Sequence, residues 1–117
     1  MNQRSMEMVR TAVEALREKK GKDIVALDVS EHTVLTDAFV IVTGTNDRQV
    51  SALTDVADEA LTKAGFVKRN IEGYHTGKWI LLDFGDLIVH VFDEESRAFY
   101  DIERIWGDAQ RIEVSES

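Results

Sequence analysis

A chain of 117 residues with a formal net charge of −8, no cysteine and no proline has room for one domain and excludes disulfide scaffolds and thiolate metal sites. No apolar run approaches the ~20 residues of a membrane-spanning helix, and the first 22 residues lack the apolar centre of a secretory signal, so the expected location is the cytoplasm. The charge is uneven: residues 1–22 hold six Lys/Arg against three Glu, whereas residues 83–103 hold seven Asp/Glu against Arg97. Phosphate binding needs clustered cations, so the expected partner is a basic protein, with no direct nucleic-acid readout.

In chain order, Met6, Val9, Val13 and Leu16 recur at helical spacing and predict a helix over residues 5–20, with Ser5 as its cap and Gly21 as its stop. Residues 24–29 ("IVALDV") and 38–44 ("AFVIVTG") are short, β-branched and apolar, and read as strands. Thr45, Asn46 and Asp47 are each competent to cap a second helix, whose stripe is Val50, Leu53, Ala57, Ala60, Leu61 and Ala64, with Gly65 ending it. A weaker strand follows at 66–71, then a hairpin at 79–92. Acidic residues 93–95 precede a last helix, with Ala98, Phe99, Ile102, Ile105 and Trp106 facing the core. The expected domain spans 1–109, and residues 110–117 are expected to fray. The fold class is α/β: a mixed sheet of about five strands flanked by three helices.

The hairpin "WILLDFGDLIVHVF" carries the functional signal. With Phe84-Gly85 as the loop, Asp83 faces Asp86, Leu81 faces Ile88 and Trp79 faces His90. Strand side chains alternate between faces, so Ile80, Leu82, Leu87, Val89 and Val91 form an apolar face. The other face mixes Trp79, Leu81 and Ile88 with Asp83, Asp86 and His90. A buried face should not carry unpaired carboxylates, and a solvated one should not expose Trp, Leu and Ile together. A face covered by another protein satisfies both objections.

Chemistry finds less support. Asp83 and Asp86 with Asp28 and Asp37 have the residue types of a two-metal nucleotidyl-transfer site, and "TGTNDRQ" (43–49) leads into a helix N-terminus. Neither glycine-rich phosphate pattern is present, however. His32, His75 and His90 lack ligand spacing, and no serine sits in an elbow motif. No catalytic, metal or cofactor residues are assigned.

"DAFVIVTGTNDRQV" (37–50), "EGYHTGKWILLDFGDLIVHVF" (72–92) and "EESRAFYDIERIWGDA" (94–109) resemble the ribosomal silencing factor family, also called Iojap-like proteins, over residues 5 to 109. The resemblance implies a nucleotidyltransferase-like fold without an active site. It further implies binding to the large ribosomal subunit through its universal protein fourteen, which blocks small-subunit joining and represses translation in starvation or stationary phase. The expected contact residues are Trp79, Leu81, Asp83, Asp86, Ile88, His90 and Tyr100, the last because it points away from its helix's buried stripe. Such a patch also predicts a homodimer when the partner is absent. The competing reading is a divergent nucleotidyltransferase-like enzyme.

Overall fold

The structure is a computed structural model and describes residues 1–114. Its elements are α1 (Gln3–Glu18), β1 (Lys22–Asp28), β2 (Ala38–Gly44), α2 (Asp47–Lys63), β3 (Asn70–Glu72), β4 (Trp79–Asp83), β5 (Leu87–Asp93), α3 (Glu94–Tyr100), α4 (Ile102–Ile105) and β6 (Gln110–Arg111). Six strands form one mixed sheet in the order β3-β4-β5-β2-β1-β6. Strands β2 and β5 run parallel at its centre, and the other neighbours are antiparallel. All seven residues of β2 are buried, as a central strand covered on both faces requires.

The first helix starts two residues before the predicted boundary. Asn2, not Ser5, is its cap, and the Asn2 side chain accepts from the Ser5 backbone N–H at 2.8 Å. At the other end the left-handed residue is Lys20, at φ 63°. Gly21 serves close packing there, because a β-carbon would lie 2.6 Å from Val42 Cγ2. Asn46 caps α2, and Val50, Leu53, Ala57 and Leu61 are fully buried. The two long helices share one sheet face. Met8, Val9, Val13, Leu16, Val50, Leu53, Ala57 and Leu61 pack there against Val40, Val42, Ile80, Leu82, Val89 and Val91, whereas Met6 and Ala60 of the expected stripes are half-buried and Ala64 is exposed.

Four local features depart from expectation. The strand predicted at 66–71 shrinks to 70–72, because Phe66 turns into the helix-side core beneath the Arg4 guanidinium, 4.9 Å from the ring centre. The hairpin loop is Gly85-Asp86. Phe84 stays in the ladder, its N–H donating to Leu87 O at 2.9 Å, and its side chain is buried. Gly85 takes the left-handed turn position at φ 86°. The true cross-strand partners are therefore Trp79 with Phe92, Leu81 with His90 and Asp83 with Ile88. Moving the loop by one residue moves each partner by two, so side-chain parity survives.

The last helix is broken at Asp101, whose φ is 45°. The break resets the helical phase: Ile102 is buried, but Phe99 and Ile105 are 78% and 71% exposed, against the expectation that both face the core. Finally, the segment expected to fray from residue 110 is paired at its start. Gln110 and Arg111 form the sixth strand against Asp28 and Leu27. Ile112 N–H donates to Ala26 O at 2.8 Å, and Arg17 Nη2 donates to Val114 O at 2.8 Å. Ile112 and Val114 pack against the helix-side core. The remainder of that expected tail, residues 115–117, lies outside the described residues.

Candidate protein-docking face

The sheet face opposite α1 and α2 is half covered. Ile102, Trp106 and Ala109 lie over Leu27, Val29, Phe39, Ile41 and Phe92, forming a second, smaller core. The return of the chain through α3 and α4 does this, and Arg97 fastens it. The Arg97 side chain is 13% exposed. It donates to Asp23 O at 2.6 Å, Thr43 Oγ1 at 2.9 Å and Glu103 Oε1 at 2.9 Å. Leu81, Asp83 and Ile88, toward the β3–β4 edge, remain only half-buried.

Trp79 sits at the boundary of the covered half. Its indole stacks on Phe92 with ring centres 5.0 Å apart and meets Tyr100 at 4.7 Å. Tyr100 is 45% exposed and lies edge-to-face with exposed Phe99 at 5.0 Å. The aromatic row continues inward from Trp79 to His90, then Phe39, then Trp106. Tyr100 and Phe99 at its outer end are exposed, His90 and Phe39 in its middle are buried, and Trp106 at its far end is half-buried, an amphipathic placement that suits Trp and Tyr at interfaces.

His90 is not at the surface, as a partner-contacting group would have to be. It is 5% exposed, and burial pulls its pKa down to about 4, so the ring is neutral at neutral pH. Trp79 Nε1–H donates to His90 Nδ1 at 3.2 Å. An indole N–H only donates, so Nδ1 carries no proton and the neutral ring's proton sits on Nε2. Nε2 is buried with no hydrogen-bond partner among the described residues, a condition that costs ~1–3 kcal/mol.

Asp86 also leaves the group. It occupies the turn, and its carboxylate approaches Arg4 of α1 at 4.0 Å, on the side of the sheet that the helices cover. Asp83 stays, opposite Ile88 and beside Asn70, with one carboxylate oxygen accepting from Gly85 N–H at 2.7 Å. The structure thus brings together Trp79, Leu81, Asp83, Ile88 and Tyr100, with His90 buried among the aromatics. Phe92, Phe39 and Trp106, which support the face, were not among the expected residues. Phe92 shares His90's face by strand alternation, and its pairing with Trp79 follows once the loop is placed correctly; Phe39 follows only from the parallel β2–β5 pairing.

The carboxylates considered for metal chemistry are engaged separately. Asp28 accepts from the Ser30 hydroxyl at 2.6 Å, which holds its pKa below the usual value. Asp37 accepts from the Ser5 hydroxyl at 2.7 Å. Among the described residues no three His, Cys, Asp or Glu are grouped to hold a metal ion, and no helix is long and apolar enough to cross a membrane.

Comparison with known proteins places this architecture. The sequence model of a family described as "Ribosomal silencing factor during starvation" matches residues 2–117. A ribosomal silencing factor of Chromobacterium violaceum is 43% identical over 101 residues, covering 86% of this chain and 83% of that one. A crystal structure of a protein from the same organism superimposes with a TM-score of 0.86 at 39% identity, covering 96% of this chain and 92% of that chain. A mouse protein named for mitochondrial assembly of the ribosomal large subunit is 30% identical, covering 80% of this chain and 42% of that protein. Family model, relatives and fold agree: this chain belongs to the ribosomal silencing factor family.

Proposed function

We propose that this protein binds the large ribosomal subunit through its universal protein fourteen and silences translation by steric exclusion when nutrients are scarce or growth stops. A folded domain seated where the small subunit docks needs no chemistry; it must only occupy the space. The observation that carries this reading is the half-open sheet face. Leu81 and Ile88, half-buried, and Trp79 with Tyr100 at the boundary form an apolar centre, with Asp83 at its fringe. An acidic molecule with net charge −8 suits a basic ribosomal protein, since complementary charge raises the encounter rate and disfavours wrong partners. The same face accounts for the expected homodimer in the absence of the ribosome, because exposed apolar patches find partners. Action on ribosomes in the cytoplasm goes with this reading.

The test is a sucrose gradient of ribosomal subunits with and without the protein. Comigration with large subunits, and loss of joined ribosomes at limiting magnesium, support the proposal. Failure to comigrate, or spread over many unrelated complexes, overturns it.

A further inference from the structure

We infer that His90 is a positioning residue for docking: its Nδ1 fixes the orientation of the Trp79 indole through the Trp79 Nε1–H bond, and the imidazole itself does not touch the partner. This rests on the reading of the Trp79 face as the docking surface and assigns a separate role behind it.

Accessibility comes first. At 5% exposure, His90 offers a partner almost nothing. Its ring lies edge-to-face with Phe39 at 4.6 Å and parallel to Phe92 at 6.2 Å, and its flanking positions on β4 and β2 are Leu81 and Ile41. These four neighbours are apolar, the polar contact being the Trp79 Nε1–H, and burial lowers the ring's pKa. Apart from that one N–H, the packing asks for no heteroatom here. An apolar side chain of similar size fills the space without burying an unpartnered Nε2–H.

What the imidazole adds is one directional bond. Trp79 is otherwise held by ring contacts with Phe92 and Tyr100, which limit the plane of an indole but allow it to slide or turn over. A hydrogen bond from Nε1 decides which edge of the indole points into the molecule and which edge is presented outward. Tyr100, being nearly half-exposed, cannot impose that choice alone. Preorganising an anchor removes part of the ordering cost of binding, so the effect belongs in affinity and not in fold stability.

The experiment combines 15N-tryptophan labelling with sedimentation of purified large ribosomal subunits. Trp106→Phe assigns the two indole signals. In the unsubstituted protein the Trp79 indole N–H is expected to resist solvent exchange; free exchange would overturn the inference without any substitution at position 90. His90→Leu is expected to lose that protection and to bind large subunits five- to tenfold more weakly, with a melting temperature equal to or above that of the parent. His90→Gln, whose side-chain carbonyl can accept from Nε1, is expected to restore both. Weaker binding that tracks a lowered melting temperature and is not rescued by Gln makes the role merely structural and overturns the inference. So does His90→Leu with undiminished binding while Trp79→Ala binds poorly, an outcome that leaves the docking face intact. If Trp79→Ala binds normally, the docking face itself has been misassigned.

Discussion

Ser5 and Asp37, thirty-two residues apart, are joined by a 2.7 Å hydrogen bond in which the Ser5 hydroxyl donates to the carboxylate. Ser5 is completely buried, so this bond ties the first turn of α1 to the residue preceding the central strand. Ser5→Ala leaves the carboxylate without that donor, at a cost of ~1–3 kcal/mol, while the better helix propensity of alanine returns ~0.5 kcal/mol. The expected net loss is ~1–2 kcal/mol, read as a lower urea midpoint at unchanged slope. An unmoved midpoint would show the bond to be dispensable.

Acid should destabilise the protein through His90. The folded pKa is about 4 and the unfolded value ~6.5, so between these limits the unfolded chain binds the extra proton. Stability is complete above pH 6.5 and is lost as pH falls toward 4, by ~3 kcal/mol for this one group. Urea midpoints at pH 7.0, 5.5 and 4.5 measure the slope, and His90→Leu should flatten it. Parallel slopes for the two proteins would assign the acid sensitivity elsewhere.

Trp79→Ala should weaken binding to large subunits by ~2 kcal/mol, roughly 30-fold, as for a central aromatic anchor. Because the indole also meets Phe92 and Tyr100, ~1–2 kcal/mol of fold stability goes with it. The circular-dichroism spectrum should remain that of the parent. Global unfolding would mean that the tryptophan serves the core more than the surface.

Asp83→Lys should slow association most at low salt, where steering by charge is least screened. Stopped-flow association rates from 50 to 300 mM salt would show the two proteins converging. Equal rates at every salt concentration would remove Asp83 from the encounter.

Arg97→Ala should be a costly single change, at ~2 kcal/mol. It strips a charged donor from the partly buried Thr43 and Glu103 and from the exposed Asp23 O. Arg97→Lys should recover less than half of this, since one ammonium lacks the planar fork that reaches three acceptors. Thermal melts of both variants decide it; a fully rescued lysine variant would show that charge alone suffices.

Much of this molecule could be read from its residues, and the failures have physical causes. The bounds 38–44 of the central strand were legible because its β-branched run is closed by Gly44, and Val50, Leu53, Ala57 and Leu61 of α2 because they recur at helical spacing, although the expected stripe ran too far, Ala64 being exposed. The mixed character of the hairpin face was legible although its loop was misplaced, because an error of one loop residue preserves parity. Three things were not legible. Asp101 adopts a left-handed conformation that aspartate visits far less often than glycine, so its identity alone did not announce the break. The parallel neighbour of β2 lies beyond any local pattern, so Phe39 could not be placed against His90. The strand at Gln110–Arg111 is two residues long and carries no periodicity.

That short strand has a consequence for the molecule's behaviour as an isolated particle. Gln110 and Arg111 sit against Asp28 and Leu27, and Ile112 follows onto Ala26, so the outer margin of β1 is closed over residues 26–28 by the chain's own return. Trimming the protein after residue 109 would bare those amides and carbonyls, leaving an adhesive seam along which another chain's strand can pair edge to edge.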